Sequence, residues 1–157
     1  MGLAHLSCLV RQAEVATEQW EEYDTGEGVG KWVRCYDCGQ DFHGAVDVAL
    51  GWAFWKTYLG RPDTNAVRCE SLAVLGNALF TSGKFTEALL VLEANLALLR
   101  RHWTHGEDIV LSAQANIGNC LDNLGRHDEA LVLTREVFAR KVATLGASHE
   151  ETILNGS

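Results

Sequence analysis

The chain has 157 residues, of which 47% are apolar, with 15 glycines, one proline and a formal charge of −8, the makeup of an ordinary helix-friendly globular domain. The acidic balance argues against nucleic acid, whose binding rests on Lys and Arg displacing counterions, and against a basic amphipathic membrane anchor. No apolar run reaches the length of a membrane span, Met1 to Val10 lacks the basic start of a secretory leader, and the five cysteines are an odd number. Reduced thiols in the cytoplasm are therefore expected.

Leu6, Leu9, Val10, Ala13, Ala16 and Trp20 keep the spacing of one buried helical stripe and predict a helix from about Leu3 to Tyr23. The polar, glycine-dotted stretch Glu21 to Gly30 breaks that pattern as a loop. Val46, Ala49, Leu50, Ala53, Phe54, Thr57 and Tyr58 restore it, and Gly60-Arg61-Pro62 ends the second helix. Trp52 and Trp55 on that helix are expected to pack, as large aromatics on a joining helix usually do.

The rest of the chain repeats itself. Gly76-Asn77-Ala78-Leu79 recurs 42 residues later as Gly118-Asn119-Cys120-Leu121, and Gly83-Lys84-x2-Glu87-Ala88-Leu89 as Gly125-Arg126-x2-Glu129-Ala130-Leu131. A fixed period of this size marks a stacked repeat, in which each unit buries its apolar face on its neighbours. First helices are predicted near 64–81 and 107–124 and second helices near 85–102 and 127–145. Gly83 and Gly125 punctuate the hairpins, where a left-handed terminus favours glycine. Ala88 and Ala130 are expected at close helix crossings.

The repeat resembles the tetratricopeptide repeat in the longer form of kinesin light chains, carried by Leu75-Gly76-x2-Leu79-x3-Gly83-x4-Ala88-x3-Leu92 and Ile117-Gly118-x2-Leu121-x3-Gly125-x4-Ala130. Departures are Leu72 and Gln114 where tryptophan often sits, Thr134 in place of a bulky residue, and Asn95 and Val137 in place of alanine. The resemblance implies an all-α, right-handed solenoid of stacked antiparallel helix hairpins. Its repeats would occupy residues 44–157, and the last one is cut short at Glu150 to Ser157. First helices line the concave groove in that family, which by position places Ala73, Asn77, Phe80, Ala115, Asn116, Asn119 and Asp122 on a peptide-binding face.

His5-x2-Cys8 and Cys35-x2-Cys38 have the spacing of metal ligands, and the glycine after Cys38 would let backbone N–H groups turn toward the sulfurs. The bland alternative is a helix carrying His5 and Cys8 and a loop with two reduced thiols. Residues Gly2 to Val10 and Trp32 to Cys38 are similar to the second half of a RING-CH zinc finger, in which a His and Cys like His5 and Cys8 complete one site and a pair like Cys35 and Cys38 the other. That resemblance makes residues 1–43 a zinc-finger remnant, irregular near 21–43, and the chain a fragment whose four preceding cysteines are missing. Half a site cannot hold zinc strongly, so no cofactor is expected for this chain, although a full-length parent could carry zinc.

No Gly-rich phosphate loop, G-x-S-x-G elbow or His-Glu-x2-His pair occurs, so no catalytic residue and no enzyme activity are expected. Cys69 and Cys120 fall in helical stripes as small hydrophobes. The expected function is a monomeric scaffold that binds protein or peptide segments, with no nucleic acid or membrane partner. The alternative is the substrate-recruiting part of a RING-CH-type ubiquitin ligase.

Overall fold

Period and punctuation together set the helices. The computed structural model describes residues 5–23, 28–102 and 107–145. These contain α1 (Leu6–Tyr23), a 3-10 turn (Gly28–Trp32), α2 (Gly44–Tyr58), α3 (Ala66–Thr81), α4 (Phe85–His102), α5 (Glu107–Asn123) and α6 (His127–Leu145). The predicted helices agree to within a few residues. The stretch expected as an irregular loop differs in detail, because α1 runs on to Tyr23 and the 3-10 turn follows within it. The connecting stretches around His105 and His149 and the truncated repeat from Glu150 lie outside the described residues.

Local chemistry explains the ends. Asn65 caps α3, its side chain accepting the Arg68 N–H at 3.0 Å, which satisfies one donor that a helix start leaves over. Gly83 and Gly125 have φ of 76° and 75°. Around them Lys84 N–H donates to Leu79 C=O and Arg126 N–H to Leu121 C=O, each at 2.9 Å. Two copies of one glycine-closed helix terminus thus stand one period apart.

The contacts divide into two units, one ending at Lys84 and the other beginning at Phe85. In the first, α2 packs along α3, and α1 packs on the 3-10 turn and on α2. In the second, α5 packs against both α4 and α6.

The first unit is built around Trp32. Its ring is fully buried and lies flat on Phe54, centroids 4.5 Å apart, while Tyr58 meets both rings edge-on. Its indole N–H donates to Thr17 Oγ1 at 3.0 Å. That buried hydroxyl has Ala13 C=O at 2.9 Å and Gly28 C=O at 3.0 Å as acceptors for its own proton. Gly28 is glycine for lack of space: a Cβ there would lie 2.4 Å from Trp20 Cβ and 3.2 Å from Thr17 Cα. Ala13, Val67 and Val74 belong to the same core, so α1, the 3-10 turn, α2 and α3 all contribute to it. Arg61 adds an ion pair to Glu21 and lies over the Tyr58 ring.

Packing in the second unit follows the repeat. Leu89, Leu92, Leu96 and Leu99 of α4 are buried, as are Leu111, Ile117, Cys120 and Leu121 of α5. Ala88 and Ala130 are buried as well. Gly118 faces α6, its Cβ position 3.5 Å from Thr134 Oγ1. In the first unit α2 approaches α3 closely at Gly51, which the sequence pattern does not single out: a Cβ there would lie 3.1 Å from Leu75 Cα. Among the described residues no helix is long and apolar enough to cross a membrane.

Candidate functional site

The seven groove residues sit on two helices, three on α3 and four on α5. Ala73, Phe80, Ala115 and Asn116 are half-buried and Asn77, Asn119 and Asp122 are exposed, whereas most of the intervening positions are buried. Accessibility therefore repeats with the sequence: Ala73 and Ala115 are half-open, Asn77 and Asn119 fully so. A first helix in this setting has two faces committed to packing and one narrow stripe left over, which is where these side chains lie.

Each asparagine also borders a cleft in its own unit. Asn77 lines one of about 330 Å³ with Val74, Ala78 and Thr81 of α3, Asp47 of α2, and Arg34, Asp41, Phe42 and His43 before it. Burial raises the Asp47 carboxyl above the ordinary carboxylate range, partly offset by the Thr81 hydroxyl, which donates to it across 3.4 Å. Arg34 is paired with Asp41 at 2.8 Å. Asn119 and Asp122 line a second cleft of about 360 Å³ with Gly118, His127, Ala130, Leu131 and Thr134. There His127 Nδ1 lies 2.6 Å from Asp122 Oδ1. The sequence pattern placed Asn77, Asn119 and Asp122 on a stripe; it did not anticipate the cleft residues contributed by other elements, such as Asp47, Arg34 and His127.

The cysteine pair forms a knuckle. Cys35 N–H donates to Gln40 C=O at 2.8 Å, Gly39 N–H to Cys35 C=O at 3.1 Å, and Phe42 N–H to Val33 C=O at 2.8 Å, with Arg34 and Asp41 bridged antiparallel. Gly39 takes φ 68°, the left-handed turn that any Cβ would strain. The N–H groups of Cys38 and Asp37, then the Cys38 thiol, hydrogen-bond to the Cys35 sulfur and hold its pKa below the ordinary thiol value. All five cysteines are free thiols. Cys69 and Cys120 are buried, and burial pushes both thiols up.

Cys8 is exposed on α1 just after His5, and among the described residues no group of three or more His, Cys, Asp or Glu side chains converges as a metal site. His5, Cys8, Cys35 and Cys38 are therefore not gathered into one four-ligand cluster, and neither pair meets further ligands there. Trp52 and Trp55 are half-buried and meet edge-to-face at 5.6 Å. The buried aromatics of α2 are Phe54 and Tyr58.

A profile of the tetratricopeptide repeat family matches residues 110–151, a span that begins within α5 and takes in α6. Helices, hairpin glycines and match together define an all-α, tetratricopeptide-like helical repeat. No curated protein matches the chain, and no solved structure does.

Proposed function

We propose that this chain is a non-catalytic protein-interaction module that binds peptide segments along the open stripes of α3 and α5, its repeats being of the longer, kinesin-light-chain-like kind. The observation that carries the reading is the pairing of period with cleft. Asn77 and Asn119 are one repeat apart in sequence, and each borders a recess in its own unit. Amide side chains offer both donors and acceptors to an extended backbone, and repeat proteins use first-helix residues of this kind for recognition.

Charge selects the peptide class. Asp41 and Asp47 face the first cleft and Asp122 the second, while Arg68, the base on α3, is held by Asp63 at 2.7 Å. Arg34 at the first cleft is likewise held by Asp41, which disfavours a clamp for an acidic tail. A neutral or mildly basic peptide with an apolar anchor beside Phe80 suits the surface, and a monomer in the cytoplasm suits the free thiols and the acidic surface. The similarity to a RING-CH finger rests on the knuckle turn and the ligand spacing alone.

Peptide-array binding, repeated with Asn77→Ala plus Asn119→Ala, tests the reading. The expected outcome is selection of neutral or basic peptides and loss of most of that binding in the double variant. Selection of strongly acidic peptides, or indifference to the double substitution, would refute it.

A further inference from the structure

The knuckle holds its shape by packing and backbone hydrogen bonds. Trp32 and Val33 enter the first unit's core, the Val33 and Phe42 backbones are bonded, and Gly39 makes the turn. Among the described residues no third or fourth metal donor gathers with Cys35 and Cys38. Two thiols three residues apart on one tight turn, closed by Gly39 N–H to Cys35 C=O at 3.1 Å, one half-buried and one exposed, are left with chemistry of their own.

We infer that Cys35 and Cys38 form a redox-active dithiol, closed to an internal disulfide by exchange with a small-molecule disulfide such as oxidised glutathione. The sulfur of one cysteine, as its thiolate, attacks a sulfur of the small disulfide. The S–S bond breaks, a mixed disulfide forms, and the first glutathione leaves as a thiolate that takes up the proton. The neighbouring cysteine then loses its proton, attacks the protein-side sulfur, and releases the second glutathione. The protein dithiol has lost two electrons and two protons, and one small disulfide has become two thiols. The knuckle favours the second step because the resolving thiol is already beside its target, so little chain entropy is lost in closing so short a loop.

The chain contains its own control. Cys8 is an exposed thiol on α1 with no cysteine partner, and Cys69 and Cys120 are buried. Exchange at Cys8, which is not on the knuckle turn, is expected to stop at the mixed disulfide, and the buried pair should react last.

The test uses the full chain, reduced, freed of reductant, treated with oxidised glutathione and quenched by alkylation, with the products mapped by mass spectrometry. The expected product has a bond between Cys35 and Cys38, no glutathione on either, a glutathione on Cys8, and therefore three fewer alkylated cysteines. Dithiothreitol restores all of these thiols. In Cys38→Ser, and equally in Cys38→Ala, glutathione should persist on Cys35. Stable adducts on both knuckle cysteines would overturn the inference, as would thiols that stay alkylatable while Cys8 reacts. So would one equivalent of co-purifying zinc that is absent from Cys35→Ser.

Discussion

Gly51 and Gly118 both sit in helix interiors, and Ala should have opposite effects at the two. In an open helix Gly→Ala stabilises by about 1 kcal/mol, because alanine has less backbone freedom to lose. At Gly118 the new methyl would meet one atom within 4 Å, Thr134 Oγ1 at 3.5 Å, an ordinary contact, so most of that gain should survive as roughly 0.5–1 kcal/mol. At Gly51 the methyl would lie 3.1 Å from Leu75 Cα and 3.4 Å from Leu75 Cδ1. The side chain can turn aside, but the Cα moves only with α3. Overpacking of this kind costs about 1–3 kcal/mol, which exceeds the propensity gain and leaves Gly51→Ala roughly 1 kcal/mol less stable. Urea denaturation followed by circular dichroism separates the two variants. With a slope of about 1–3 kcal/mol per molar urea, each midpoint should move by a few tenths of a molar or more, in opposite directions. Equal stabilisation by both would show that α2 and α3 part freely, and that glycine does not set their spacing.

Thr17→Val keeps the shape of the side chain but strips the Trp32 indole N–H and the Gly28 carbonyl of a shared partner. At about 1–3 kcal/mol per orphaned buried group, the first unit should lose roughly 2 kcal/mol or more, read from tryptophan fluorescence during unfolding; an unchanged midpoint would show that water replaces the hydroxyl. Ala130→Leu adds three carbons at a buried position of α6 and should cost about 1–3 kcal/mol, with an unchanged urea midpoint placing the α5–α6 crossing elsewhere. Gln114 is 1% exposed and its Oε1 has no protein partner, so Gln114→Met, similar in shape and free of the amide, should stabilise by about 1 kcal/mol; a fall in thermal midpoint would mean that the amide is satisfied by a buried water.

The turns at Gly83 and Gly125 and the exposure of Asn77 and Asn119 could be read from the chain alone because they are local or periodic. A left-handed helix terminus depends on its own backbone, and a stripe left over by packing returns with the repeat that creates it. The knuckle turn at Gly39 is local in the same way. Gly51, Gly28, Thr17 and Trp32 follow a different rule. Gly51 sits in an apolar helix with no hairpin beside it, and only the line of contact between α2 and α3 makes its missing Cβ necessary. Gly28 stands among loop glycines, yet its spacing is dictated by Trp20 and Thr17 from α1. The cleft partners of the two asparagines, Asp47 and His127 among them, come from neighbouring elements in the same way. Helix type and helix ends depend on energies within a few residues of each other, which sequence pattern reports. Which faces touch is a property of side chains distant in the chain, so these spacings, the orphaned amide at Gln114 and the absence of a third metal donor among the described residues were decided only when the helices packed.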